Sequence, residues 1–203
     1  MGCLSAISIR QSDNPRQSHV GGRPYPGDVY PPDPILTDHL SSGLRPRLSW
    51  NEAISETAQL SDALGRRVDE LIAPVVAALR AHGIPTTASC QGHLKWGLPF
   101  PWVEVCAQLP QLPPEDAEES LRKQNLALRA LLLTHLAEFY SQRASVPFDT
   151  ILCLRPYVMR QFRIQSTGAE TLTLAPPHWR QAKLTEYRAE MTSFGQFLRT
   201  RER

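Results

Sequence analysis

Seven of the chain's 18 prolines fall before Ser49, at Pro15, Pro24, Pro26, Pro31, Pro32, Pro34 and Pro46, and Gly21, Gly22, Gly27 and Gly43 lie among them. Proline lacks a backbone N–H and pushes the residue before it out of the helical region, so such a segment sustains neither a helix nor a central strand. Residues 1–48 are therefore expected to form a Pro-rich extended or disordered arm, with residues 49–203 as a single domain. Tyr25 and Tyr30 among the prolines would suit docking into a partner's groove or wrapping the chain's own domain, and a homodimer formed through the arm is a further variant.

Beyond the arm, 41% hydrophobic residues permit a packed core, and a net charge of +2 gives no whole-chain attraction to nucleic acid or an anionic membrane. No apolar run approaches the roughly 20 residues of a membrane span. Cys3, Cys90, Cys106 and Cys153 form no CxxC and no close pair. Neither a zinc knuckle nor a disulfide framework is written there, and reduced thiols in a soluble, cytoplasmic protein are expected.

Ser49 followed by Glu52 is a capping-box signature. Leu60, Leu64, Val68, Leu71 or Ile72, Val75 and Leu79 then predict a helix with one buried stripe, kinked or restarted near Asp69-Glu70 because of Pro74. Strands are predicted at Ile84 to Cys90 and at Trp102 to Cys106, with Trp102, Glu104 and Cys106 on one face. A long helix follows from Glu115 to about Arg143, then strands at Thr150–Leu154 and Gln161–Gln165, an edge strand at Thr171–Leu174, and a last helix from Pro176-Pro177 to about Arg199. This order predicts an α+β fold, a two-layer sandwich of a small mixed sheet with packed helices.

Reactive and backbone-permissive residues crowd into Thr86-Thr87-Ala88-Ser89-Cys90-Gln91-Gly92-His93. Cys90 and His93 are the candidate catalytic pair, but acyl transfer also needs a residue to orient the histidine, and Glu104, Asp116 and Asp149 are the candidates without a spacing that selects one. The same stretch suits ligand binding. Thr86, Thr87, Ser89, Gln91 and Gly92 offer hydrogen-bonding groups, Trp96, Phe100 and Trp102 a stacking wall, and Lys95, Arg155 and Arg160 partners for phosphates. A planar, nucleotide-like or RNA-derived ligand is the expectation. Metal binding would need His135 or His178 beside Cys90 and His93, and two neighbouring ligands do not make a site, so none is assigned. Cys106, Cys153 and His135 read as core residues, His135 with its ring satisfied.

Val68-Asp69-Glu70-Leu71-Ile72-Ala73-Pro74-Val75-Val76, followed by Thr86 to His93 and by Trp102-Val103-Glu104-Val105, resembles the tRNA wybutosine-synthesis methyltransferase family over roughly residues 68–106. That family carries a Thr-Thr-Ser-Ser-Cys-Ser-Gly-Arg strand and turn; here Gln91 replaces a Ser and His93 the Arg. The turn is also similar to that of small uncharacterised proteins with Ser-Cys-x-Gly-His. The resemblance implies an α/β core, a pocket at Ser89 to His93, and S-adenosylmethionine and tRNA as ligands of a methyltransferase-like enzyme. The rival expectation is a protein-interaction module that presents the arm and a basic C-terminal helix with Arg180, Lys183, Arg188, Arg199, Arg201 and Arg203.

Overall fold

The computed structural model describes residues 44–62, 65–108, 114–157 and 161–201, the side chains of 114–116 excepted. Tyr25, Tyr30, Leu64, Arg160 and Arg203 lie outside the described residues. Helix α1 (Trp50–Gln59) opens with the expected reciprocal cap: the Glu52 N–H donates to Ser49 Oγ, and Glu52 Oε2 accepts the Ser49 N–H at 2.8 Å. Residues 44–48 are already held to the domain, because the Arg45 N–H donates to the Gly83 carbonyl at 2.9 Å and Leu44 and Leu48 pack against buried side chains.

The stripe from Leu60 to Leu79 is not one helix. Leu60 has extended backbone, Ser61 bridges to Arg67, and helix α2 (Ala73–Ala81) restarts at Ala73, beyond the expected break at Asp69-Glu70. Pro74 explains the restart point, since a residue without an N–H is tolerated in the first helical turn, where that donor has no partner anyway. Leu60 and Val68 still pack against the core, whereas Leu71 is exposed.

The chain continues through β1 (Thr86–Cys90), β2 (Trp102–Cys106), α3 (Pro114–Ser141), β3 (Leu152–Pro156), β4 (Gln161–Ser166), α4 (Ala169–Leu172) and α5 (Pro177–Thr200). The fold is α+β, with sheet order β1-β2-β4-β3 and every pairing antiparallel, so the sheet is not mixed. Helix α3 carries the chain to the far edge, from which β3 and β4 return as a hairpin; no parallel neighbour arises. The expected edge strand at Thr171–Leu174 is instead α4 and its end. Ala169 and Leu172 are both buried three residues apart, a helical spacing, and Thr171 Oγ donates to the Gly168 carbonyl at 2.9 Å.

One face of the sheet is apolar: Val103 and Val105 of β2, Ile164 of β4 and Leu152 of β3 join Val75, Val76 and Leu79 of α2, Leu128 and Leu132 of α3, and Met191, Phe194 and Leu198 of α5. The opposite face carries a buried ion pair between cross-strand partners, Arg163 Nη2 and Glu104 Oε1 at 2.6 Å, with the Arg163 guanidinium between the Trp102 ring (4.4 Å) and the Tyr157 ring (3.6 Å). The core also holds an unsatisfied group. His135 lies edge-on to His82 at 4.9 Å, and neither of its ring nitrogens has a hydrogen-bond partner among the described residues. Burial, helped by the neighbouring His82, lowers its pKa to about 4.

Candidate functional site

Strand β1 is an edge strand, and its register against β2 slips between Thr86 and Ala88. Such a bulge twists the strand and re-aims its side chains, a common device beside binding sites. Here Thr86, Thr87, Ala88, Ser89 and Cys90 all line a cavity of about 380 Å³ together with residues 60–62 and 66–69, and His93, Trp96 and Trp102 complete the lining.

The turn after β1 is fixed from several directions. The Gln91 N–H donates to Asp69 Oδ2 at 3.0 Å, Gln91 Oε1 accepts the Leu71 N–H at 3.2 Å, and the His93 N–H donates to the Leu98 carbonyl at 2.8 Å. From α5, Arg188 Nε donates to the Gln91 carbonyl at 2.8 Å and Nη2 to the Gly92 carbonyl at 2.6 Å. Gly92 has φ +83°, and a Cβ there would lie 2.7 Å from both the Phe100 carbonyl carbon and Leu184 Cδ1. Only glycine fits the turn that brings Cys90 and His93 together.

His93 Nε2 lies 3.3 Å from Asp69 Oδ2, and one ligating atom from each of Asp69, Cys90 and His93 falls within 4.8 Å of the others. The Gly92 N–H donates to Cys90 Sγ at 3.3 Å. Burial pushes the Cys90 thiol above its ordinary pKa, opposed by the Gly92 N–H and reinforced by the Asp69 charge, so the thiol is protonated at neutral pH. The His93 ring stacks on Trp96 at 3.6 Å, and Trp96 remains 59% exposed. Arg66 and Arg67 line the same cavity. Arg66 is paired with Asp62, whereas Arg67 has no ion pair among the described residues.

Of the residues expected from sequence, Thr86, Thr87, Ser89, Cys90, His93, Trp96 and Trp102 line the cavity. Gln91 and Gly92 do not, because their polar groups are consumed in holding the turn. Phe100 is buried with Tyr187 and Leu172 behind the turn, and Arg155 pairs with Glu170 at 3.6 Å. Asp69, Arg66, Arg67 and Arg188 were not foreseen. The carboxylate beside His93 is Asp69 rather than Glu104, Asp116 or Asp149: Glu104 is committed to Arg163 and Asp149 to Lys183 at 2.6 Å, and the Asp116 side chain lies outside the described residues. Its one sequence signal was its place in the Val68-Asp69-Glu70 segment of the family resemblance. No protein-family model matches the chain, and no solved structure matches it to a significant degree. Among the described residues no helix is long and apolar enough to cross a membrane.

Proposed function

We propose that the cavity beside β1 binds a nucleotide-like or RNA-derived ligand, a planar ring joined to an anionic group. The observation that carries this reading is that Arg66 and Arg67 line one cavity together with Trp96, Trp102 and the hydroxyl-bearing residues of β1. Guanidinium groups meet phosphate as charge-assisted, fork-shaped donors, and an aromatic face attracts a ring of any base. Trp96 offers that face to solvent, and a volume near 380 Å³ falls in the ordinary range of small-molecule sites. S-adenosylmethionine and RNA methylation are supported by the resemblance alone.

Thiol catalysis by Cys90 is supported less well, although Asp69 supplies the orienting group. No hydrogen bond joins Cys90 to His93 among the described residues, and burial disfavours the thiolate. The interaction-module reading loses several of its basic residues to internal contacts: Arg180 donates to the Ala175 carbonyl, Arg188 holds the turn, and Lys183 pairs with Asp149 and Glu186.

Thermal unfolding with adenosine 5′-monophosphate, other mononucleotides and S-adenosylmethionine tests the reading, because a ligand at about 100 times its Kd stabilises the folded state by about 2.7 kcal/mol. At least one is expected to raise Tm, and Trp96→Ala and Arg67→Ala to remove the effect while leaving the unliganded Tm almost unchanged. If none of these compounds stabilises the protein, or if both variants respond like the wild type, the reading is wrong.

A further inference from the structure

We propose that Asp69, Cys90 and His93 form a mononuclear site for a zinc-class divalent ion whose fourth coordination position faces the cavity. The donor set is one thiolate, one imidazole and one carboxylate, the mixture that borderline-soft Zn²⁺ accepts and that Mg²⁺ and Ca²⁺ do not. Tetrahedral coordination at ordinary zinc bond lengths puts neighbouring ligand atoms about 3.4–3.8 Å apart. The His93–Asp69 edge already measures 3.3 Å, and the other edges of the triangle are at most 4.8 Å, so side-chain rotation suffices to close it.

The arrangement converges on a point. One imidazole nitrogen, Cys90 Sγ and an Asp69 oxygen all lie within 4.8 Å of one another, near enough for a single ion to reach all three. The surrounding shell is that of a metal–thiolate turn. Amide donors point at the ligand atoms, Gly92 N–H to Sγ at 3.3 Å and Gln91 N–H to Asp69 Oδ2 at 3.0 Å, and Arg188 anchors the carbonyls of those same two residues. Such outer contacts orient ligands and spread the charge of a bound thiolate. Stacking on Trp96 fixes the plane of the His93 ring. All three ligands line the cavity, so the ion would carry there an exchangeable water or a donor atom of whatever occupies it.

The metal site opens on the same cavity as the proposed nucleotide site but does not require a nucleotide, and its test uses the metal alone. Chelator-treated full-length protein is titrated with Zn²⁺ by calorimetry and with Co²⁺ by absorption. One ion per chain is expected, and the Co²⁺ form should show a thiolate-to-cobalt charge-transfer band with the intense visible bands of a four-coordinate ion. Cys90→Ser should abolish the charge-transfer band, Asp69→Asn and His93→Gln should weaken affinity at least about tenfold, and Cys153→Ser should change neither. Circular dichroism of each metal-free variant reports its folding; if Cys90→Ser does not fold, the other two variants decide. Absence of stoichiometric binding to the wild type overturns the proposal. So does a charge-transfer band that survives in folded Cys90→Ser, or unchanged affinity in both Asp69→Asn and His93→Gln.

Discussion

Replacing Gly92 by alanine probes the turn on which the site depends. Two costs add: a φ of +83° in an L-residue, about 1–2 kcal/mol, and a Cβ placed 2.7 Å from the backbone of Phe100 and from Leu184 Cδ1. The Leu184 methyl can rotate aside, but the Phe100 backbone cannot move without disturbing the buried group that includes Leu172 and Tyr187, so overpacking contributes a further 1–3 kcal/mol or so. The expected loss is about 3 kcal/mol, read as a lower urea midpoint at unchanged slope, or as a Tm lowered by roughly 6–12 °C for a domain of this size. Gly97→Ala is the internal control. Its φ is +74°, yet nothing lies within 4 Å of a Cβ there, so only the conformational cost applies. Equal losses in the two variants, or a loss below about 1 kcal/mol for Gly92→Ala, would refute the close-approach reasoning.

Three further outcomes are expected. His135, with its pKa held near 4, takes up a proton in the unfolded chain near 6.5 but in the folded chain only near 4. Stability should therefore fall as pH drops through that window, by up to about 3 kcal/mol in all, and His135→Leu should flatten the profile of denaturation midpoint against pH; the same slope in the variant would assign it to other groups. Glu104→Ala leaves the Arg163 guanidinium buried without its carboxylate, and a loss of about 3–5 kcal/mol in chemical denaturation is expected, whereas a loss under about 1 kcal/mol would mean that the pair is solvated. In metal-free protein the half-buried Cys90 thiol should react with a disulfide reagent more slowly than free cysteine at neutral pH and gain rate as pH rises. Reaction faster than free cysteine would revive the nucleophile reading.

What could be read in the sequence was what is decided locally. The capping box at Ser49 and Glu52 is complete within four residues, and of the apolar residues expected along α5 (Trp179, Leu184, Tyr187, Met191, Phe194 and Leu198) all are buried except Trp179 in the first turn, which is 57% exposed. Short or interrupted patterns failed. Thr171–Leu174 alternates like a strand, but of its residues only Leu172 is buried, alongside Ala169 one helical turn before it, and Leu174 is 89% exposed. Of the Leu60–Leu79 stripe, Leu60, Val68, Ile72, Val75 and Leu79 stay in or against the core, Leu71 is exposed, and the helix between Leu60 and Ile72 is lost. The candidate turn was found because Cys90, Gly92 and His93 are neighbours in sequence. Asp69 is 24 residues from His93, and Arg188 is 97 from Gln91. No periodicity encodes contacts of that separation; they exist only once the bulged edge of β1 lies against residues 60–69 and α5 reaches the turn.

The most direct test of the account is a two-dimensional amide NMR titration of labelled protein with the mononucleotide that stabilises it most. The account predicts saturable shifts concentrated at residues 66–69, 86–90 and 93, together with the indole N–H groups of Trp96 and Trp102, and little change along β3 or the C-terminal half of α5. Shifts confined to other surfaces, or none at saturating ligand, would contradict the claim that β1 and its turn form the binding wall.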